Sequence, residues 1–492
     1  MNINRELGSG NTVKKVFKHG SVYLFVSVLS KGMGLLLLPV YTRYLSPEEY
    51  GILSTVLSFG GILGIMMSLR IDGAFSRYFF EYNADLGELR KLFSTCFWFT
   101  LGLGTVVYAF SLVYSYFYLS KKLGIEFFPI IVAGFLTPLF TQMALLGTLY
   151  YKQTHRSSIV GKAQVLFLIV NHCVAVFLLV TTDLTVSARI LPSLLAAMLM
   201  SAYYINLNIK NKLLGFEFDQ KTLFHILPFT LALLPAIASS WINNLSDRII
   251  LSVYGEFSAT GIYSVGYEIG RSIAYISIPI IAAYTPIMFA KLTENYEEGL
   301  KSLSNPILGM FWLMTIIFVS LAIFSNQILY VFASEKFQTA NSILMILLFS
   351  SYIGSQYVIF ANLLGFHKKI MILSAVGIVS STVNLVLNLI FIPKYGMYAA
   401  ALSTLASTMV YSGLIIYFGF KYSKPSIDWS GIAKTIIVAS SVLLFNEYIS
   451  TNIADATQLA FRIMLIPALF IMTYIFKIFD NPVQMLRNSI AK

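Results

Sequence analysis

Once loop and end charges and the histidines are set aside, seven ionisable side chains lie inside long apolar runs. The cations are Lys31, Lys162, Arg189 and Arg271, with Lys434 and Arg462 nearer the ends of their runs, and the one acid is Glu268. A charge at the centre of a bilayer costs at least about 2.5–3.5 kcal/mol on insertion scales, so such groups face a bundle interior or a water-filled cavity. Lys31 and Arg271 lie near mid-run, where a long side chain has least chance of reaching the interface. Lys162 and Arg189 lie about five residues from a run end, so both a cavity position and snorkelling are open to them. Glu268 and Arg271 are spaced to share a helix face, either as a neutralising structural pair or as part of a cavity lining. Tyr263, Tyr267 and Tyr275 fall near that face and are suited to stack on sugar rings. Arg70, Asp72, Arg77 and Glu81 follow the second apolar run, as a cavity mouth or as an ordinary solvated loop. The deep charges are mostly positive. That suits an anionic substrate, and arginine suits phosphate in particular because its planar fork matches phosphate geometry.

Other chemistry is poorly represented. The five histidines (His19, His155, His172, His225, His367) are scattered and read as structural or loop residues. Cys96 and Cys173 have no spacing for a metal or a disulfide framework. Expected outer loops run to about a dozen residues and hold no histidine. The sequence presents no nucleophile–base pair, phosphate loop or metal cluster, so it is not read as an enzyme.

These residues must be positioned by membrane helices. The chain has 492 residues, 57% hydrophobic and 11% charged, against roughly 25% charged in a soluble protein. Its mean hydropathy is +0.76. Apolar windows place spans at 20–42, 49–69, 92–118, 125–150, 157–180, 186–208, 223–246, 257–288, 304–324, 338–364, 370–392, 397–419, 432–450 and 457–478. The expected fold is therefore an all-α integral membrane protein of about fourteen transmembrane helices. The run 257–288 exceeds a bilayer's need and contains Pro279 and Pro286, which predicts a tilted or kinked helix.

Lysine and arginine set the orientation. With the N-terminus inside, 22 of them fall in inner segments and six (Arg43, Lys121, Lys122, Arg248, Lys336, Lys394) in outer loops. Both termini are thus expected in the cytoplasm, and the first span doubles as the insertion signal. The net charge of +12 is mainly this bias, directed at anionic lipid headgroups rather than nucleic acid. Gly51-Ile52 and Ser54 match Gly261-Ile262 and Ser264 at an offset of 210, and Leu146-Gly147 with Asn171 matches Leu364-Gly365 with Asn388 at a similar one. This weak repeat predicts two six-helix lobes in parallel orientation around a central cavity. The expected organisation is a cytoplasmic tail 1–19, an N-lobe 20–210, a cytoplasmic loop 211–222, a C-lobe 223–420, an appended helix pair 432–478 and a cytoplasmic tail 479–492.

The stretch from Val383 through Asn384, Asn388 and Ile392-Pro393-Lys394-Tyr395-Gly396 to Ala401 resembles a signature of polysaccharide-unit flippases. Leu38-Pro39-Val40-Tyr41-Thr42-Arg43-Tyr44-Leu45-Ser46 with Glu49-Tyr50-Gly51-Ile52 is similar to their first hairpin, and Ser258-Ala259-Thr260-Gly261-Ile262-Tyr263-Ser264 to their eighth-span entry. The resemblance covers essentially the whole chain. It is to the O-antigen and capsule flippases of the multidrug/oligosaccharidyl-lipid/polysaccharide exporter superfamily. It implies multi-pass proteins of the bacterial inner membrane that move undecaprenyl-pyrophosphate-linked oligosaccharides outward by alternating access. The expected partners are membrane lipids and other polysaccharide assembly proteins, and no cofactor is expected. Energy coupling is open between a driving H+ or Na+, for which Glu268 is the proton-linked candidate, and downhill transport that needs no ion. The layout also resembles lipid II flippases, which carry several arginines in early spans where this chain has Lys31. Multidrug exporters of the superfamily are the other alternative; they bind cations through acids, and here the deep acid is shadowed by Arg271.

Topology is directly measurable. Alkaline-phosphatase fusions after Tyr116 and Asn452 are expected to be active, and fusions after Lys212 and at the C-terminus inactive. The reverse at any two of these sites overturns the orientation.

Overall fold

The computed structural model describes residues 32–452, 455–476 and 478. Every regular element among them is helical. Without water, backbone N–H and C=O groups must be satisfied within each segment, and the helix does this. Among the described residues, twelve helices are long and apolar enough to cross a membrane. We number them α1 (Pro47–Ser68), α2 (Leu86–Leu123), α3 (Phe127–Gln153), α4 (Ser157–Thr181), α5 (Val186–Lys210), α6 (Gln220–Tyr254), α7 (Phe257–Glu294), α8 (Tyr296–Ile323), α9 (Glu335–Phe366), α10 (Ile370–Ser423), α11 (Trp429–Ser450) and α12 (Thr457–Ile475).

Two differences from the expected spans have local causes. The 54-residue α10 takes in two of them, 370–392 and 397–419, and is broken at Gly396 (φ 56°, ψ −134°); that backbone conformation favours glycine. In α7 the break falls at Arg271 (φ −78°, ψ 1°), whereas Pro279 and Pro286 lie inside the continuous helix Ser272–Glu294. The first expected span, 20–42, begins outside the described residues, and Lys31 lies outside them too.

By its internal contacts the chain forms two compact units, Met1–Val265 with Ser381–Ala400, and Gly266–Ser380 with Ala401–Lys492. The first unit takes in the expected N-lobe together with loop 211–222, α6 and the first turns of α7. Its helix α1 starts with a capping box: Ser46 accepts from the Glu49 N–H, and Glu49 accepts from the Ser46 N–H. Such a box satisfies two donors that a helix start leaves open. Leu69 and Arg70 both adopt left-handed φ values, 43° and 61°, which turns the chain sharply into a short helix, Ile71–Tyr82. Phe75 and Phe93 meet edge-on at 5.6 Å in the apolar core. Between α3 and α5, Tyr151 stacks on Tyr204 at 5.8 Å and donates to Asn208 at 3.0 Å.

The loop after α5 is pinned to α2. Trp98 Nε1 donates to the Gly215 carbonyl at 2.8 Å, the Gly215 N–H to Ser94 Oγ at 2.9 Å, and the Asp219 N–H to Thr95 Oγ1 at 3.0 Å. Arg90 pairs with Glu217 at 3.2 Å. The loop's polar backbone is thereby satisfied by side chains at one end of α2.

The second unit is built around Met314, Val319, Leu344 and Leu363, all fully buried or nearly so. Tyr352 stacks on Phe318 at 5.1 Å and shares a hydrogen bond with Thr315 at 2.9 Å. The two arms of α10 meet where Ser380 Oγ donates to the Ser407 carbonyl at 2.9 Å. In the appended pair, Arg462 of α12 donates to Ser450 Oγ of α11 at 2.8 Å, which gives a buried guanidinium a polar partner.

Candidate functional site

Arg271 stands at the break in α7, half-buried. Its guanidinium lies 5.7 Å from the Tyr267 ring centre and 5.5 Å from that of Tyr275. Cations are attracted to aromatic faces in this way, more strongly where water is scarce. The Tyr275 hydroxyl donates a short hydrogen bond to Glu268 Oε1. The structure thus links the acid and the base through one tyrosine, its ring to Arg271 and its hydroxyl to Glu268. Tyr263, grouped with these tyrosines in the sequence, is fully buried and donates to Asp247 instead. No sugar ring can stack on it there.

Arg189 has partners within the first unit. Its Nη1 donates to Asn171 Oδ1 at 2.7 Å, and the guanidinium lies 5.5 Å from the Tyr41 ring centre. Tyr41 in turn shares a 3.1 Å hydrogen bond with His172. Asn171 and His172 are brought there by one turn of π-helix in α4, Ile169–Val174. Such a turn inserts an extra residue and changes which side chains face inward. Lys162, on the same helix, is exposed.

The four residues expected at a cavity mouth form two separate ion pairs. Arg70 Nη2 lies 3.0 Å from Asp72 Oδ2, with the Asp72 side chain almost buried. Arg77 Nη1 lies 2.6 Å from Glu81 Oε1 on an exposed helix face. Burial pushes the Asp72 carboxyl above its ordinary range, and the Arg70 charge opposes that shift.

Two features escaped the sequence reading. Arg248, counted there as an outer-loop cation, is 6% exposed inside α6, and its neighbour Asp247 is 1% exposed. Glu268 is therefore not the only acid among the apolar helices, and Asp247 is the more deeply buried of the two. The Arg248 N–H donates to Asp247 Oδ1 at 2.8 Å, its Nη1 reaches the same oxygen at 3.3 Å, and the Tyr263 hydroxyl donates to Oδ2 at 2.5 Å. Arg248 Nη1 also donates to the Asn244 carbonyl at 2.5 Å, within a second π-turn, Ile242–Ser246.

The other feature is a backbone crossing between α1 and α7. A Cβ on Gly51 would lie 1.9 Å from the Phe257 carbonyl oxygen, and one on Gly261 would lie 1.9 Å from that of Pro47. Only glycine permits that approach. The contact is reciprocal at the repeat offset: Pro47 corresponds to Phe257, and Gly51 to Gly261. One turn further on, Ser54 Oγ and Ser264 Oγ share a 2.7 Å hydrogen bond between residues 210 apart. Thr55 and Ser252 share one of 2.5 Å, and Ser252 and Thr260 one of 3.2 Å. The offset was visible in the sequence as similarity; that the matched residues touch was not.

Among known proteins, a family model described as polysaccharide biosynthesis protein matches residues 16–292. An uncharacterised membrane protein of Haemophilus influenzae is 26% identical over 75% of this chain and 89% of its own length. A probable low-salt glycan biosynthesis flippase of Haloferax volcanii, Agl15, is 23% identical over 56% of this chain and 59% of its own length. Among solved structures, the lipid II flippase MurJ in an inward closed conformation superposes with a TM-score of 0.68 at 16% identity, covering 94% of this chain and 99% of that one. An inward-facing multidrug transporter of the MATE family and MOP superfamily superposes with a TM-score of 0.59 at 15% identity, covering 80% and 94%. The fold is the one these transporters share.

The Arg189–Asn171 contact gives a stability test. Asn171→Leu leaves the guanidinium without its acceptor and is expected to cost about 1–2 kcal/mol, the upper range for polar contacts between membrane helices. Arg189→Leu alone leaves the amide unpaired. The double variant is expected to unfold, in detergent thermal melts, closer to the unmodified protein than the sum of the two single losses. Strict additivity overturns the pairing.

Proposed function

This chain belongs to the polysaccharide biosynthesis protein family, and from that premise we propose that it is a flippase for a lipid-linked oligosaccharide. The substrate in this reading is an undecaprenyl-pyrophosphate-linked O-antigen or capsule repeat unit, moved across the bacterial cytoplasmic membrane by alternating access. Both termini face the cytoplasm. The flippase named among the relatives, and the transporter fold, support the reading.

The observation that carries it is Arg271 between Tyr267 and Tyr275 at the interruption of α7. A pyrophosphate entering an apolar bundle loses water and needs compensation from fixed donors. A guanidinium supplies paired donors to a phosphate, and the half-buried Tyr275 supplies a face for a sugar. Lys31 is the second cation proposed for the phosphate, with Lys162 and Arg189 in lesser roles. Glu268, which accepts from Tyr275, is the candidate for ion coupling in this reading. The alternatives within the fold are a lipid II flippase and an ion-coupled multidrug exporter. A cationic drug needs an uncompensated acid, and a guanidinium three residues from Glu268 disfavours that.

Complementation of an export-deficient strain tests the site. Arg271→Ala is expected to lower glycan export at least about tenfold at normal protein level, since a hydrogen bond to a charged group contributes roughly 1.5–3 kcal/mol. Arg271→Lys retains the charge without the fork and is expected to restore part of it. Lys31→Ala is expected to resemble Arg271→Ala. Full export by the Lys31→Ala/Arg271→Ala double variant overturns the assignment of the phosphate to these cations.

A further inference from the structure

The α1–α7 crossing is held by groups the transport reading has not used. Its contact is backbone on backbone, with Gly51 against Phe257 and Gly261 against Pro47. Interdigitation of side chains plays no part at that point, so the seating of the first turns of α7 decides whether the crossing closes. Those turns are held on two sides. Toward α1 run the Gly261 approach and the Ser54–Ser264 hydrogen bond. Toward α6 run the Ser252–Thr260 hydrogen bond and the Tyr263 hydroxyl on Asp247.

The Asp247 contact is the charged one. Its carboxylate is 1% exposed and both oxygens are engaged, Oδ1 by Arg248 and Oδ2 by Tyr263. Arg248 also donates to the Asn244 carbonyl in the π-turn of α6. Charge is thus balanced within α6, and the Tyr263 hydroxyl ties this carboxylate to α7. A charged buried acceptor that loses a donor is left with a full desolvation cost, so this bond holds more firmly than the hydroxyl pairs around it.

We propose that Asp247, Arg248 and Tyr263 are positioning residues that set the strength of an outer gate at the Gly51–Gly261 crossing. The proposal rests on the alternating-access reading. The Lys and Arg bias places this end of α1 and α7 outside, and a carrier must part its outer seal to release substrate there. The seal has two discrete arrangements, docked and parted, because backbone in contact at glycines does not deform gradually. Asp247 biases the docked one by fixing the start of α7 in the register that lets Gly261 meet Gly51. The repeat supplies both glycines and both serines. The triad lies on one side only, since the residue 210 positions before Asp247 is Leu37. The strength of the gate is therefore set from the α6 side.

Cysteine cross-linking in membranes tests this. Cys96→Ala and Cys173→Ser provide a background, and Ser54→Cys/Ser264→Cys places two thiols where the hydroxyl oxygens lie 2.7 Å apart. Oxidation is expected to link them rapidly and to stop glycan export, with recovery on reduction. Adding Tyr263→Phe or Asp247→Asn is expected to slow linking at least about tenfold, the equivalent of one hydrogen bond to a charged group. Asp247→Glu is expected to recover part of the rate, which a merely structural role would not require. Linking rates unchanged by both Tyr263→Phe and Asp247→Asn overturn the positioning role. Failure of the pair to link, or export that continues once it is linked, overturns the gate. If the unmodified chain exports no glycan, the functional reading fails by itself, and the linking rates still decide whether the triad holds the crossing.

Discussion

Water is missing from the bilayer core, and a polar or charged group buried there depends on protein for its partner. That constraint selects helices throughout the described residues. It also explains where the buried polar chemistry sits. Two arginines lie against π-turns: Arg189 donates to the Asn171 side chain in the α4 turn, and Arg248 to the Asn244 carbonyl in the α6 turn. A π-turn takes carbonyls out of the regular ladder and shifts side chains by one position. A guanidinium, with five donors on a long stem, can satisfy such groups from a neighbouring position. Each of these two turns is thus matched by a cation that needs acceptors.

The same constraint separates structural charge from charge that could serve a substrate. Arg70 and Arg77 are paired with Asp72 and Glu81, and Arg462 donates to Ser450. Arg271 is half-buried and flanked by two aromatic faces, beside an acid that takes a tyrosine hydroxyl. Aromatic faces stabilise a cation through the ring quadrupole, more strongly where water is scarce.

Much of this was legible in the sequence, for physical reasons. Long apolar runs report membrane helices directly, and the helices found follow the expected windows from Pro47 onward. The likeness of Gly51 to Gly261 and of Ser54 to Ser264 was visible as a repeat, but not that these residues touch. The misreadings share a cause. Asp247 and Arg248 ended an apolar window, so hydropathy placed Arg248 in a loop; the extra residue of the π-turn and the Tyr263 hydroxyl keep both inside. Tyr263 read as a sugar platform because helical periodicity gives a face and not the neighbour that covers it. In α7 the prolines announced a kink, yet the break is at Arg271. Loop 211–222 read as a plain connection, because nothing local shows that Trp98 and Ser94, more than a hundred residues earlier, will bind its backbone.

The central claim is outward movement of a lipid-linked oligosaccharide. The most direct measurement is the sidedness of polyprenyl-pyrophosphate-linked glycans in a strain depleted of this chain, by mass spectrometry of lipids accessible from each membrane face. The account predicts that complete repeat units accumulate on the cytoplasmic face and return to the outer face when the chain is restored. Repeat units that still reach the outer face at the normal rate in the depleted strain would contradict it.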